Sequence, residues 1–162
     1  ALFIPPAERY GVMKKIDCWV IKHTIEHLSR HKDNGFRGRY TINLSGQSLT
    51  DPSLPDYVES LFLKYDLLPD NSCFEITETA AIDNLNVAKA FVERMHTIGC
   101  GILLDDFGSG FSSFAYLKAL PFDYIKIDGQ FVNNITDDAI DETMVRMIHE
   151  IAQVMKVQTI AE

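Results

Sequence analysis

The sequence predicts an α/β fold, specifically a partial TIM-type (β/α) barrel in which about five parallel strands alternate with helices. Segments with the spacing of strands and of helices follow one another along the chain, which is typical of a parallel sheet covered by helices. The composition, 46% hydrophobic and 23% charged over 162 residues, suits one globular core. An eight-stranded barrel takes about 250 residues. The chain is therefore either part of such a barrel or an open doubly wound sheet.

The first half of the chain predicts two long helices with a strand between them. After a predicted turn at Pro5 and Pro6, apolar residues recur at helical offsets, which indicates a helix over residues 13–31. Residues 39–45 are rich in strand formers and end in a Gly-containing loop signal. Helical spacing then returns over residues 54–67.

The same alternation recurs in the rest of the chain. The predicted strand and helix pairs are residues 73–77 with 86–98, residues 101–105 with 114–120, and residues 123–128 with 138–155, followed by a fifth strand over residues 157–161. The chain begins with apolar residues and stops directly after this fifth strand. We therefore expect residues 1–162 to be the central fragment of a larger barrel domain.

Composition and charge exclude several classes of protein. The 15 basic and 23 acidic residues give a net charge of -8, which argues against non-specific binding of DNA or RNA. No apolar run approaches the roughly 18 residues of a membrane helix. The three cysteines are far apart and lie in apolar stretches, so a disulfide framework or zinc knuckle is not expected, and a reducing, cytoplasmic location is favoured.

Residue types that bind metals or exchange protons stand at the end of every predicted strand. Because the carboxyl ends of parallel strands meet at one rim of the sheet, their side chains are expected to converge. In chain order they are Asn43, Ser45, Glu75, Glu78, Asp105, Asp106, Lys126, Asp128 and Glu162. The structural alternative is that these acids only cap helices and turns.

So many like charges at one site predict a bound cation, since repulsion and desolvation would otherwise raise several of their pKa values. Oxygen ligands without His or Cys favour Mg²⁺ or Mn²⁺, with Ca²⁺ as a competitor, over zinc. The adjacent Asp105 and Asp106 suggest two ions, because one carboxylate can bridge a pair about 3.5–4 Å apart. Lys126 could orient or help to deprotonate an attacking water, or neutralise a phosphate oxygen.

Three motifs occupy these strand ends. They are Asp105-Asp106-Phe107-Gly108-Ser109-Gly110, Lys126-Ile127-Asp128 and Glu75-Ile76-Thr77-Glu78. Together they resemble the motifs of the EAL-domain family of cyclic di-GMP phosphodiesterases. The resemblance extends over the whole chain: residues 3–8 are similar to the segment shortly after the family's Glu-Ala-Leu motif, residues 42–45 to its asparagine strand, and residues 159–162 to the start of its Ala-Glu-Gly-Val-Glu motif.

The resemblance implies a modified βα barrel that binds two Mg²⁺ or Mn²⁺ ions and hydrolyses one phosphodiester bond of cyclic di-GMP, giving linear pGpG. Asn43, Glu75 and Asp105 resemble the ligands of the first ion, and Asp105 is shared with the second. Asp106 and Glu162 resemble further ligands of that second ion.

The remaining roles implied by the resemblance concern catalysis and a loop. Lys126 resembles the lysine that contacts the hydrolytic water, Asp128 resembles its supporting acid, and Glu162 belongs with them among the catalytic residues. Glu78 resembles the glutamate that steadies the loop after the two aspartates. That loop is associated in the family with dimer contacts and regulation, which implies a homodimer, and it contains Phe107, Gly108, Ser109 and Gly110.

Two parts of the family's domain lie outside the sequence. The Glu-Ala-Leu motif would precede Ala1 and the last strands of the barrel would follow Glu162, so the activity of the fragment alone stays open. The full protein is expected to carry sensory or GGDEF-type domains, with membrane tethering left open. Two alternatives also stay open: a non-catalytic module that binds cyclic di-GMP, and an enzyme that uses lysine and Mg²⁺ to abstract a proton beside a carboxylate.

Overall fold

A five-stranded sheet forms the centre of the molecule. The computed structural model describes residues 3–31, 38–108 and 116–162. Every strand is parallel to its neighbours, and the strands lie side by side in sequence order. They are β1 (Tyr40–Leu44), β2 (Ser72–Thr77), β3 (Gly101–Phe107), β4 (Tyr124–Ile127) and β5 (Gln158–Ala161). The predicted five parallel strands alternating with helices are thereby confirmed.

Long and short helices connect these strands. The long ones are α2 (Met13–His31), α4 (Leu54–Tyr65), α6 (Leu85–Ile98) and α8 (Ala139–Met155), all within two residues of their predicted bounds. The short ones are α1 (Ile4–Arg9), α3 (Gly46–Leu49), α5 (Glu78–Asp83) and α7 (Gly129–Val132).

The long helices begin and end at residues that suit helix termini. The Asp138 carboxylate accepts hydrogen bonds from the backbone N–H groups of Ile140 and Asp141, which fixes the start of α8. Helix α4 ends because Asp66 adopts a left-handed conformation, with φ of 50°. The predicted continuation to residue 67 is therefore two residues too long.

Two predictions along the chain are wrong. Residues 4–9 form helix α1 where a turn was predicted, because Pro5 and Pro6 occupy the first helical turn, where a missing N–H costs nothing. The predicted helix 114–120 falls partly outside the described residues. Its described part is a turn closed by a hydrogen bond from the Ala119 N–H to the Tyr116 carbonyl. Pro121 follows and disfavours helical backbone just before it.

The core lies between one face of the sheet and the long helices. Ile42, Phe74, Ile102, Leu104 and Ile125 point to this face and are at most 2% exposed. Each fully buried side chain of this size stabilises the fold by about 1.5–3 kcal/mol relative to an exposed one. Strand residues alternate between faces, so polar strand residues are left on the opposite face. Among the described residues, no helix is both long and apolar enough to cross a membrane.

Candidate active site

The register of the sheet places the predicted site residues on one face. Asn43 of β1 pairs with Glu75 of β2, and Glu75 pairs with Leu103 of β3. Asp105 stands two residues after Leu103 and therefore points to the same side. Toward the other edge of the sheet, Lys126 of β4 pairs with Ile160 of β5, and Ile160 stands two residues before Glu162. These side chains project from the face opposite the core, at the carboxyl ends of the strands.

A β-bulge explains how two adjacent aspartates both reach this site. Leu104 pairs with Ile125 and Phe107 pairs with Ile127, so Asp105 and Asp106 together oppose the single residue between those partners. Asp106 has a φ of 56°, a left-handed conformation that is uncommon for a residue other than glycine. In a regular strand these two side chains would point to opposite faces. The sequence shows that the two aspartates are adjacent but contains no direct signal for the bulge.

Lys126 lies at the centre of the cluster. Its Nζ is 2.9 Å from Glu162 Oε1, 3.3 Å from Glu75 Oε2 and 3.3 Å from Asp105 Oδ1. The Glu75 side chain is only 3% exposed, so its charge needs a close cationic partner. Burial on its own would lower the pKa of Lys126, but the hydrogen bond to Glu162 and the negative charges of Glu75 and Asp105 outweigh it and raise that pKa. Lys126 is therefore protonated at neutral pH.

Three carboxylates beside Lys126 could hold a metal ion. One oxygen each from Asp105, Asp106 and Glu162 lies within 4.8 Å of the others. Burial raises the pKa of Asp106, and the charges of Asp105, Asp128 and Glu162 raise it further, while Lys126 opposes them. Such mutual repulsion is the condition that a divalent cation relieves, and all-oxygen donors suit a hard cation.

Asn43 and Asp128 lie at the edge of this cluster. The Asn43 side chain is exposed and stands beside Glu75 in the register of β1 and β2. The Asp128 carboxylate caps helix α7, with its Oδ1 accepting a hydrogen bond of 2.7 Å from the Gln130 N–H. The structure thus brings Glu75, Asp105, Asp106, Lys126 and Glu162 into direct proximity, with Asn43 and Asp128 flanking them.

The segment after β3 is held by Glu78, which is 2% exposed. Its Oε2 accepts a hydrogen bond of 3.0 Å from the Gly108 N–H, and its Oε1 accepts one of 2.6 Å from the Tyr116 hydroxyl. The Phe107 side chain is 1% exposed and belongs to the core. Ser109 and Gly110, predicted as part of the same loop, lie outside the described residues.

Ser45 has a structural role beside the site, because it hydrogen-bonds a buried carboxylate on α2. Its hydroxyl and backbone N–H both donate to Oδ2 of the buried Asp17 on α2, which also accepts a hydrogen bond from the Ser48 hydroxyl. Sequence reasoning missed Asp17. Its signal was present, because a charged residue stands four residues before the buried Ile21 on the apolar stripe of a helix. Tyr116 was also missed, and nothing in the spacing of the sequence marks it as a partner of Glu78.

Known proteins resemble this chain along its whole length. The EAL domain family matches residues 1–162. The cyclic di-GMP phosphodiesterase PdeB of Shewanella oneidensis is 40% identical over 162 residues, covering 100% of this chain and 19% of the relative. PdeF of Escherichia coli, also named a cyclic di-GMP phosphodiesterase, is 35% identical over 160 residues, covering 99% of this chain and 21% of the relative. The chain thus spans about a fifth of the length of these curated relatives.

Solved structures share the fold. The structure titled PaMucR phosphodiesterase, c-di-GMP complex, matches with a TM-score of 0.92 and 30% identity, covering 99% of this chain and 65% of that one. The crystal structure of the FimX EAL domain matches with a TM-score of 0.90 and 28% identity, covering 98% of this chain and 64% of that one. With the family match over every residue, these similarities lead to one conclusion: the chain belongs to the EAL domain family.

Proposed function

We propose that this chain contributes the active site of a divalent-metal-dependent phosphodiesterase that hydrolyses cyclic di-GMP to linear pGpG. The observation that carries the proposal is the group of carboxylates around Lys126 at the carboxyl ends of neighbouring strands. Relatives with 35% and 40% identity are named cyclic di-GMP phosphodiesterases. Residues 1–162 are proposed to be the central part of the EAL domain, in line with their 65% coverage of the PaMucR chain.

The residues present fit two Mg²⁺ or Mn²⁺ ions. Asp105, Asp106 and Glu162 supply three converging carboxylates, and Asp105 would be shared between the ions. Glu75, beside Asp105 across the cluster, and Asn43, its neighbour in register, would complete the oxygen ligands of the other ion. The set contains no nitrogen or sulfur ligand, which favours these cations over zinc.

The chain's own groups account for orientation and proton transfer. When bound, the ions would polarise the phosphodiester and acidify an attacking water. The protonated Lys126 donates hydrogen bonds and so would orient that water or neutralise a phosphate oxygen. As the bond from the water oxygen to phosphorus forms, the bond from phosphorus to the ribose oxygen breaks, and the departing oxygen would keep the electron pair and take up a proton from the solvent. Glu162, 2.9 Å from the Lys126 ammonium and 44% exposed, would take the proton of the water, and the charge of Asp128 would support the arrangement.

The partners are proposed from the same relatives. MucR of Pseudomonas aeruginosa, 31% identical to this chain, is named a bifunctional diguanylate cyclase and cyclic di-GMP phosphodiesterase. We propose that the full protein likewise combines the EAL domain with GGDEF-type or sensory domains, acts as a homodimer and exposes this domain to the cytoplasm. Cyclic di-GMP would be its ligand.

The test is product release by the full-length protein. With Mn²⁺ or Mg²⁺, cyclic di-GMP should be converted to pGpG, separated by liquid chromatography, and chelation should stop the reaction.

Lys126→Met should lower turnover by about 100-fold or more while Mn²⁺ still binds, since it removes the ammonium and keeps the ligands. Lys22→Met, on the exposed surface of α2, is the matched control and should be fully active. Binding of cyclic di-GMP without turnover would instead support a receptor module.

A further inference from the structure

One buried carboxylate connects the aspartate-bearing end of β3 with a residue further along the chain. We name Glu78, Gly108 and Tyr116 the Glu78 clasp. Gly108 and Tyr116 flank residues 109–115, and both donate hydrogen bonds to the Glu78 carboxylate, one to each oxygen. Glu78 is the first residue of α5 and directly follows β2, so the rigid sheet and helix fix its backbone.

The backbone conformation of Gly108 and the neighbouring ring of Phe131 also restrict this position. It has a φ of 99°, a conformation that side chains other than glycine rarely adopt. An added Cβ would lie 2.8 Å from Cε2 of Phe131 on α7. Gly108 stands two residues after Asp106, whose own φ is 56°. The position of the Gly108 N–H therefore determines how the backbone leaves the bulge that carries Asp105 and Asp106.

Tyr116 contacts the other oxygen of the same carboxylate. Its side chain is 7% exposed, and its hydroxyl donates a short hydrogen bond of 2.6 Å. A buried carboxylate depends on every donor around it, because the donors replace the water it has lost. Without the hydroxyl, one oxygen of Glu78 would lose this donor. Rotation of the carboxylate toward another donor would then be favoured, and it would break the hydrogen bond to Gly108.

We propose that Tyr116 is a positioning residue that acts through Glu78 on Gly108 and thereby sets the geometry of the Asp105 and Asp106 metal ligands. The proposal rests on the proposed function for its link to catalysis. The clasp itself rests on contacts among described residues alone. Nothing in the sequence motifs assigns a role to Tyr116.

The direct test is amide hydrogen exchange of Gly108 in the full-length protein without metal. Tyr116→Phe removes the hydroxyl and keeps the ring, so the Gly108 N–H should exchange at least about tenfold faster, while the Ile76 amide of β2 exchanges as in the wild type. Tyr57→Phe is the matched control: it removes another hydroxyl hydrogen bond, of 3.3 Å to the Cys18 carbonyl, and should leave Gly108 unchanged. Wild-type exchange of Gly108 in Tyr116→Phe would overturn the proposal.

A double variant tests the order of action. Glu78→Ala removes both acceptor oxygens and should also speed exchange at Gly108, and adding Tyr116→Phe should give no further increase, since the hydroxyl can then no longer act through Glu78. Independent, multiplicative effects would overturn the proposal even if Tyr116→Phe alone loosened Gly108.

Mn²⁺ binding, measured by electron paramagnetic resonance, provides the link to the site. The dissociation constant should rise by about fivefold or more in Tyr116→Phe and stay unchanged in Tyr57→Phe. An unchanged constant in Tyr116→Phe would refute the effect on the metal ligands. If Tyr116→Phe speeds exchange at Gly108 but the wild-type protein releases no pGpG, the proposed function is refuted and the clasp stays intact.

Discussion

Lys126 shows how one ammonium group can balance several carboxylates in a folded protein. Its ammonium contacts three carboxylates, one of them almost fully buried. Desolvation makes each of these charges costly on its own, and the central cation offsets much of that cost. The pKa of Asp106 is raised, by burial first and then by the charges of Asp105, Asp128 and Glu162, while Lys126 opposes them. The site thus disfavours the negative charge of Asp106, which is an imbalance in its electrostatics.

This imbalance predicts a pH-dependent gain from Asp106→Asn. A carboxyl whose pKa is raised on folding favours the folded state below its unfolded pKa, and that contribution is lost as the pH rises through the folded pKa. In chelator, Asp106→Asn should therefore be more stable than the wild type at pH 7. The gain should be below about 1 kcal/mol, since the side chain is exposed to screening solvent.

The measurement is urea unfolding of both proteins with chelator at pH 7 and near pH 3.5. The difference should vanish at the lower pH, where the carboxyl of Asp106 is protonated and resembles the amide. Equal stabilisation at both pH values would show that the charge is not responsible. With saturating Mn²⁺ the sign should reverse, because the variant loses a metal ligand.

At the scale of elements, the strands and long helices were predictable because their apolar spacing is strong. The short helices α3, α5 and α7 were not, because four to six residues carry too little periodicity. Two of their caps are polar strand-end residues that sequence reasoning assigned to the site: Ser45 caps α3, and Asp128 caps α7. Polar residues at strand ends therefore serve helix capping as well as the candidate site. Only the strand register shows which of them face the carboxylate cluster.

The turn after β3 gives a prediction for glycine. Gly108→Ala must accept strained backbone and a Cβ that would lie 2.8 Å from Phe131, whereas Gly11→Ala, with φ of 65° and nothing within 4 Å, meets only the strain. We expect a loss of about 1 kcal/mol for Gly11→Ala and of about 2–4 kcal/mol for Gly108→Ala, measured by urea unfolding.

Phe131→Ala separates the two causes. It creates space beside Gly108, so Gly108→Ala should cost less in that background than in the wild type, approaching the loss of Gly11→Ala. An equal cost in both backgrounds would mean that the ring of Phe131 does not constrain this turn.

For the whole molecule, the opposite ends of the sheet have different tasks. The carboxyl ends gather the acids around Lys126, whereas at the amino end Asp123 supports the fold: its Oδ2 accepts a hydrogen bond of 2.7 Å from the Ile102 N–H and lies 2.9 Å from His96 Nε2. The net charge of -8 gives no local information about this division. The division between the two ends follows from the shared direction of the parallel strands, which the sequence does predict.

The division predicts which variants alter metal-linked stability. A cation that binds only the folded state stabilises it by about 2.7 kcal/mol at 100 times its dissociation constant, which corresponds to roughly 5–10 °C in Tm for a domain of this size. Mn²⁺ should produce such a shift in the wild type, measured by calorimetry on the full-length protein. Asp105→Asn should abolish most of the shift, because it removes the shared ligand. Asp123→Asn should lower Tm with and without Mn²⁺ yet keep the shift. A similar reduction of the shift in both variants would mean that Mn²⁺ does not act at the carboxyl ends of the strands.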